Sequence, residues 1–177
     1  MTKDELTALV RSVPDYPARG IVFRDLSPLL ADATALRTVI ESLAAKVRTA
    51  CADKVAGMEA RGFIFGAAVA VAADCGFVPI RKAGKLPVPA IGIDYALEYG
   101  QDRLELDPTM IHRGERVAIV DDLIATGGTA LAAAQLIEQA AGIPPVAAEF
   151  VIGLSSLGGS EALQRRKIAT ASLLTFP

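Results

Sequence analysis

Apolar residues recur along this chain with two different spacings, and the two spacings alternate. Residues 36–47 place Leu36, Val39, Ile40, Leu43 and Val47 on one helical face, whereas residues 117–120 form an uninterrupted apolar run typical of a central parallel strand. The same criteria predict further strands at residues 54–58, 77–80, 146–154 and 171–174, and helices at residues 62–73, 129–140 and 160–165. This alternation predicts an α/β fold with a mostly parallel central sheet flanked by helices. Without a break in composition, we expect a single domain, residues 1–177.

The two ends of the first 30 residues carry helix signals. Thr2 and Glu5 match a capping box, which predicts a first helix with an apolar face formed by Leu6, Leu9, Val10 and Val13. Residues 14–20 are rich in turn formers and should end that helix. A short second helix should begin at Ser27, because proline at the next position fits a first helical turn.

The middle of the chain is less regular. Residues 81–93 are rich in Gly, Pro and Lys and are interpreted as a long loop. Leu97 and Leu104 lie in short strand-like segments on either side of Gly100.

Composition and charge exclude several classes of partner. The 177 residues are 52% hydrophobic and 21% charged, with a net charge of −2. No global basic field is present, so neither nucleic acid nor a membrane is expected as a partner, and an anionic ligand would need a local cluster of cations. The apolar stretch 63–73 is too short to span a bilayer.

The remaining composition points to the cytoplasm and away from metal catalysis by histidine. The N-terminus has early acidic residues and no long apolar segment, unlike a signal peptide. Cys51 and Cys75 have no metal or redox spacing and are expected to be free thiols in a reducing cytoplasm. His112 is the only histidine, which argues against a His-based metal site or a Ser-His-Asp triad.

The segment VAIVDDLIATGGTA, residues 117–130, carries the chemistry. The apolar strand is expected to end at Val120, so that Asp121 and Asp122 lie at its carboxyl end, where ligands collect in such sheets. The glycines of the following Thr-Gly-Gly-Thr loop allow backbone N–H groups to surround a phosphate at a helix N-terminus. The two carboxylates can accept hydrogen bonds from the vicinal hydroxyls of a ribose. Together these features indicate a site for a 5-phosphoribosyl group.

This segment resembles the phosphoribosyl-pyrophosphate (PRPP) signature of the type I phosphoribosyltransferases. The stretches DYPARGIVFRD (15–25), EARGFIFG (59–66), RKAGKLP (81–87) and LEYG (97–100) resemble the members of that family that use adenine, in the same order along nearly the whole chain. The resemblance implies the type I phosphoribosyltransferase fold with a small N-terminal hood. It also implies the reaction of adenine with PRPP to give AMP and pyrophosphate, in a cytoplasmic homodimer that uses Mg²⁺ bound mainly through PRPP and pyrophosphate rather than by protein ligands.

The same resemblance assigns roles to individual residues. The 5′-phosphate would be bound by Ala125, Thr126, Gly127, Gly128 and Thr129, the ribose by Asp121 and Asp122, the pyrophosphate by Arg61, Arg81, Lys82 and Lys85, and adenine by Val22, Phe23 and Arg24. Phe23 would stack on the purine, while backbone groups of its neighbours contact the base edge. Glu98 would act on the purine ring near N7, as a general acid or a hydrogen-bond partner. A cis peptide bond is expected between Glu59 and Ala60.

Two alternatives and one departure from the family accompany this interpretation. The chain could act on another nucleobase, such as xanthine or orotate, or could be a PRPP-sensing regulator without enzymatic activity. Such regulators usually add a DNA-binding domain, for which this chain has neither the length nor a basic recognition helix. Residues 88–93, VPAIGI, are mostly apolar where relatives often carry polar and acidic residues.

Overall fold

Within residues 1–96 and 101–177, which the computed structural model describes, the strands form one large sheet and one small one. In chain order the strands are β1 (Arg11–Pro14), β2 (Val22–Asp25), β3 (Lys54–Met58), β4 (Gly76–Lys82), β5 (Ile91–Ala96), β6 (Gln101–Leu106), β7 (Val117–Ile124), β8 (Ala147–Leu154) and β9 (Thr170–Phe176). The large sheet has the order β5-β6-β4-β3-β7-β8-β9. Strands β4, β3, β7, β8 and β9 are parallel, and β6 and β5 add an antiparallel edge. The predicted α/β fold with a mostly parallel sheet is confirmed.

Helices cover both faces of this sheet. They are α1 (Lys3–Ala8), α2 (Ser27–Ala31), α3 (Ala33–Thr49), α4 (Arg61–Ala73), α5 (Gly128–Ala141) and α6 (Gly159–Arg165). One buried cluster joins α1 to α4 with one face of the strands, and a second joins α5 and α6 with the other face. Strand β7 illustrates the two layers, because Ala118 and Val120 belong to the first cluster while Val117 and Ile119 belong to the second. Its apolar run is therefore buried on both faces, as the sequence predicted.

Two sequence-based assignments in the large sheet were wrong. Strand β7 does not end at Val120 but continues to Ile124, because it pairs with β8 as far as Gly153, so the two acids lie inside the strand. The predicted loop at 81–93 is shorter, since β4 runs to Lys82 and β5 begins at Ile91. In both cases pairing with a distant strand supplies hydrogen bonds that local composition does not reveal.

The first helix is also shorter than predicted. The capping box of Thr2 and Glu5 is present, but α1 ends at Ala8 and Val13 lies in β1. The chain leaves the helix because β1 pairs antiparallel with β2, forming a two-stranded hairpin that we call the hood. Leu104 lies in β6, as expected, whereas Leu97 and Gly100 fall outside the described residues.

The hood is joined to the body at Asp25. Its carboxylate accepts hydrogen bonds from the backbone N–H and hydroxyl of Ser27 at 2.9 and 2.6 Å, and pairs with Arg11 at 2.6 Å. The hydrogen bond from the Ser27 hydroxyl, aided by the backbone of Ser27 and by Arg11, lowers the pKa of Asp25 to about 2. Strand β2 is thereby fastened to the start of α2 at one end and to β1 along its length.

Among the helices of the described residues, none is long and apolar enough to cross a membrane. Cys51 and Cys75 are both free thiols, as expected.

Candidate active site at the carboxyl edge of the sheet

Two adjoining cavities lie where β3 and β7 end. Because these strands are parallel neighbours, their carboxyl ends meet at one edge of the sheet. The larger cavity, about 320 Å³, is lined by Met58, Glu59, Ala60, Arg61, Asp121, Asp122, Leu123 and Thr129. The smaller, about 140 Å³, is lined by Asp121 and by residues 123–130, which include the whole predicted phosphate loop. Asp121, Leu123 and Thr129 line both, so the loop and the acid pair face one continuous groove.

The phosphate loop owes its shape to glycine. Gly127 has a φ of 87° and caps the N-terminus of α5, a conformation that side chains of L-residues rarely adopt. A Cβ atom at Gly127 would also lie only 3.0 Å from the Cα atom of Gly159 at the start of α6. The loop therefore fits between β7 and α6 with its backbone exposed to the smaller cavity, as an anion site at a helix N-terminus requires.

The acid pair is nearly inaccessible to solvent. Asp121 and Asp122 are 8% and 6% exposed, and the backbone N–H of Asp122 donates to Oδ1 of Asp121 at 2.9 Å. Burial is the main cause of a raised pKa at Asp121, and repulsion from Asp122 is the second cause. Gly62, in the first turn of α4, makes room for this carboxylate, because a Cβ at that position would collide with it.

Arg61 connects the acid pair with the hood. Its Nε lies 2.9 Å from Oδ2 of Asp122, and its guanidinium carbon lies 5.2 Å from the ring centroid of Phe23. The contact with Asp122 is an ion pair without hydrogen-bond alignment, since Oδ2 has no hydrogen-bond partner among the described residues. The cation therefore lies between the predicted ribose site and the predicted base site. This places Phe23 next to the groove although it is 98 positions away from Asp121 in the sequence.

Glu59 is a site residue that the sequence analysis did not select. Its carboxylate accepts hydrogen bonds from Nε and Nη2 of Arg81 at 3.1 and 3.3 Å and from the backbone N–H of Lys82 at 3.1 Å. The hydrogen bond from Arg81 is the main cause of a lowered pKa at Glu59. An acid two positions before Arg61 was a usable signal, but its partner on β4 is visible only in the folded protein. The Glu59–Ala60 peptide is cis, which confirms that prediction.

Three of the predicted pyrophosphate cations, namely Arg81, Lys82 and Lys85, do not line either cavity. The amino group of Lys82 pairs with Asp102 at 2.7 Å, and the hydroxyl of Tyr95 donates to the same carboxylate at 3.2 Å. Lys85 lies in the turn after β4, where its carbonyl accepts a hydrogen bond from Nη1 of Arg81 at 3.2 Å. Asp102, like Glu59, was missed by sequence reasoning because its partner is contributed by another strand.

The predicted adenine residues divide between two faces of β2. Phe23 lies on the face that also carries Asp25, and these two side chains line a cavity of about 310 Å³ together with Val13 and Tyr16. Arg24 lies on the opposite face, where its guanidinium carbon is 4.5 Å from the ring centroid of Phe176. Val22 is 45% exposed. Glu98, the predicted catalytic acid, lies outside the described residues.

Comparison with known proteins gives a consistent result. The family described as phosphoribosyl transferase domain matches residues 29–142. An adenine phosphoribosyltransferase from Novosphingobium aromaticivorans is 59% identical over 177 residues, covering 100% of this chain and 99% of the relative.

Solved structures agree with the sequence relatives. The adenine phosphoribosyltransferase of Thermoanaerobacter pseudethanolicus superimposes with a TM-score of 0.93 at 42% identity, covering 99% of this chain and 100% of that one. The Saccharomyces cerevisiae enzyme, crystallised with an imino-altritol bisphosphate and adenine, superimposes with a TM-score of 0.90 at 36% identity, covering 97% and 98% of the two chains. By its match to the family, to its sequence relatives and to the solved structures, this chain belongs to the phosphoribosyl transferase domain family and, within it, to the adenine phosphoribosyltransferases.

Proposed function

We propose that this protein transfers the 5-phosphoribosyl group of PRPP to adenine, giving AMP and pyrophosphate. The observation that carries the proposal is the order of sites along one groove: the phosphate loop, the acid pair, Arg61 and then Phe23. PRPP and adenine present their groups in the same order, namely 5′-phosphate, ribose and purine, with the pyrophosphate at the anomeric carbon.

The phosphate and ribose of PRPP have complementary partners. Backbone N–H groups of residues 125–129 and the N-terminus of α5 suit the 5′-phosphate, and the hydroxyls of Thr126 and Thr129 add donors. The carboxylates of Asp121 and Asp122 suit the 2′- and 3′-hydroxyls of the ribose. Because both acids are buried, these hydrogen bonds would form in a site of low dielectric constant, where they are stronger than in water.

Arg61 lines the larger cavity, and Arg81 adjoins it through its ion pair with Glu59, so we assign these two cations to the pyrophosphate. Each is paired with a carboxylate, Arg61 with Asp122 and Arg81 with Glu59. The pyrophosphate would take Arg61 from Asp122 and so free that carboxylate for the ribose. Lys85 would join from the turn after β4, and Lys82 would have to exchange Asp102 for the ligand.

Mg²⁺ would be held mainly by the phosphates of the substrate, and the acid pair would add only a secondary contact. Among residues 1–96 and 101–177, no group of three or more His, Cys, Asp or Glu side chains could hold a metal. Asp121 and Asp122 offer two carboxylates beside the groove, and Mg²⁺ is commonly held by one or two carboxylates together with substrate phosphates. When bound, Mg²⁺ would neutralise the negative charge that develops on the leaving pyrophosphate.

The transfer itself breaks one bond and forms one bond at the anomeric carbon. The bond from C1′ to the pyrophosphate oxygen breaks, and its electron pair leaves with the pyrophosphate. The lone pair of adenine N9 forms the new C1′–N9 bond, and the N9 proton is released. The passing oxocarbenium-like state needs orientation and balanced charge more than a covalent nucleophile. The protein would supply these through the phosphate loop, the acids and Arg61, with Glu98 interacting with the purine near N7.

Recognition of adenine would rest on the backbone of β2. With Phe23 against the purine face, backbone N–H and C=O groups at residues 22–24 can pair with the ring nitrogen and amino group of adenine. A 6-oxopurine presents the opposite pattern and would leave buried groups unpaired, which is a strong basis for rejection.

We further infer a homodimer that works in the cytoplasm. Helix α4 carries no charged residue after Arg61, and its exposed residues include Ile64 (47% exposed) and Val71 (83% exposed), seven positions apart on one face. A second copy of this chain is the partner we assign to that face, because α4 begins in the active site and a dimer there would adjoin it. Free Cys51 and Cys75 are compatible with a reducing compartment.

Pyrophosphate release from PRPP, measured with each nucleobase in turn, tests the proposed function. We expect release with adenine and little with hypoxanthine, guanine, xanthine or orotate. Comparable turnover of a 6-oxopurine would assign the chain to another nucleobase, and PRPP binding without turnover of any base would favour a PRPP sensor.

A further inference from the structure

The end of the C-terminal strand contacts the back of the hood through one side chain. Phe176, the last residue of β9, places its ring 4.5 Å from the guanidinium carbon of Arg24 on β2. Phe176 is not among the residues that line the two cavities of the groove, so the reaction described above assigns no role to its contact with the predicted base-binding segment.

The guanidinium of Arg24 depends on this aromatic ring. Its Nη1 donates to the hydroxyl of Ser12 on the paired strand β1, but its buried Nε has no hydrogen-bond partner among the described residues. Arg24 is only half-buried, but leaving its buried Nε–H group without a hydrogen bond is costly, and an aromatic face within 6 Å partly compensates for it. The position of Arg24, and with it the position of β2, is therefore coupled to Phe176.

Phe176 is itself held in place. Its backbone pairs with Leu154 of β8, its carbonyl accepts a hydrogen bond from the hydroxyl of Ser155 at 3.1 Å, and its ring packs on the buried cluster below α3. By contrast, the hood is a two-stranded hairpin, which is only marginally stable without support. The large sheet thus supplies a fixed point for the small two-stranded hood.

We propose that Phe176 is a positioning residue for adenine. Adjacent residues of a strand point to opposite faces, so holding Arg24 from behind sets the location of Phe23 and of the backbone groups of residues 22–24 at the front. The inference rests on the proposed function, since it concerns the base that the hood receives. It predicts that the C-terminal residues control the apparent affinity for adenine without touching PRPP.

Steady-state kinetics of Phe176→Leu, varying one substrate at a time, tests this role. The leucine keeps an apolar side chain but removes the aromatic face, so we expect the KM for adenine to rise about 3- to 30-fold, the range that a cation–π contact supports. The KM for PRPP should rise less than the KM for adenine, because only Arg61 among the proposed PRPP residues is described in contact with Phe23, while the phosphate loop and the acid pair lie on other elements. Phe176→Tyr, which keeps the aromatic face, should restore the wild-type KM for adenine.

Two further variants separate positioning from general destabilisation. Leu173→Ala removes volume from the same strand and the same buried cluster, and it should lower the Tm while leaving the KM for adenine unchanged. In a double variant with Arg24→Met, Phe176→Leu should add little to the effect of Arg24→Met alone, because both changes remove one contact.

An unchanged KM for adenine in Phe176→Leu would overturn the inference, as would a parallel rise in both KM values. If Phe176→Leu does not fold, Ser155→Ala, which only loosens the carbonyl of Phe176, must still raise the KM for adenine selectively. Wild-type protein that releases no pyrophosphate with adenine would instead refute the proposed function, so the two failures are distinguishable.

Discussion

At the scale of single residues, three of the four cations predicted to bind the pyrophosphate are each paired with an acid. Arg61 pairs with Asp122, Arg81 with Glu59 and Lys82 with Asp102, at 2.9, 3.1 and 2.7 Å. We therefore expect substrate binding to exchange ionic partners rather than to fill an uncompensated basic pocket. Such an exchange avoids leaving a buried charge unpaired before the ligand arrives.

Replacing both acids tests their role toward the ribose. In Asp121→Asn with Asp122→Asn, kcat/KM should fall on the order of 10²–10⁴-fold, because two charge-assisted hydrogen bonds of about 1.5–3 kcal/mol each are lost. The Tm should not fall, since burial already raises the pKa of Asp121 and penalises its charged form. Kinetics and thermal unfolding monitored by circular dichroism check both parts. Asp74→Asn, at an exposed carboxylate, is the control, and near wild-type turnover of the double variant would make the acids structural only.

Glu98 and Lys85 should show different kinetic defects. If Glu98 acts on the purine, Glu98→Gln should lower kcat on the order of 10²–10⁴-fold, as expected for lost general acid catalysis. Lys85→Ala should instead raise the KM for PRPP, because its proposed partner is the pyrophosphate, while the carbonyl that accepts from Arg81 is kept. Lys3→Ala is the control for loss of a distant exposed cation. A Glu98→Gln variant with intact kcat and a raised KM for adenine would mean that Glu98 only positions the base.

At the scale of elements, the large sheet also buries an ion pair that lies outside the candidate active site. Glu149 on β8 is 6% exposed and pairs with Lys46 of α3 at 3.1 Å. Burial raises the pKa of Glu149 despite the opposing effect of Lys46. The desolvation cost of charging Glu149 is thus larger than the favourable interaction of its carboxylate with Lys46, as is common for buried ion pairs.

This imbalance predicts a pH-dependent stability difference. The pKa of Glu149 is 4.5 in the unfolded chain and is raised by folding. Below pH 4.5 the carboxyl is protonated in both states and does not reduce stability. As pH rises through the folded pKa, the free energy of unfolding falls because the buried group must ionise. Glu149→Gln removes this titration, and Lys46 can remain hydrated because its side chain is 37% exposed. Relative to wild type, the variant should therefore gain stability between pH 4 and pH 7.

Urea unfolding at several pH values measures the effect. Glu138→Gln, which alters an exposed pair with Arg166, should show little change because exposed pairs are screened. A variant that loses stability relative to wild type as pH rises would show that the Lys46 pair outweighs burial.

At the scale of the whole molecule, α4 leaves an apolar face exposed to solvent. Its exposed apolar face is the surface that we assign to a second copy of this chain. Val71→Asp places a charge in that face and should convert a dimer, of twice 18.4 kDa, to a monomer. Light scattering after size exclusion measures the mass. Met110→Asp, at an exposed apolar residue outside α4, should leave it unchanged. A Val71→Asp variant that stays dimeric would place the interface elsewhere.

Local sequence was sufficient for those features that depend on neighbouring residues. The apolar run of β7, the capping box at Thr2 and the glycine loop before α5 each follow from short-range chemistry, and each lies where it was predicted. The same holds for the parallel α/β architecture, because alternating helical and extended patterns have few other ways to bury their apolar faces.

Tertiary structure alone decided the contacts between distant segments. The length of β7 depends on β8, the shortening of α1 depends on the β1–β2 pairing, and the roles of Glu59 and Asp102 depend on cations of β4. The contact between Phe176 and Arg24 could not be predicted from the sequence, because 152 positions separate the two residues and no motif contains both of them. Strand pairing and ion pairing join groups according to their distance in space, and that distance exists only after the sheet has formed.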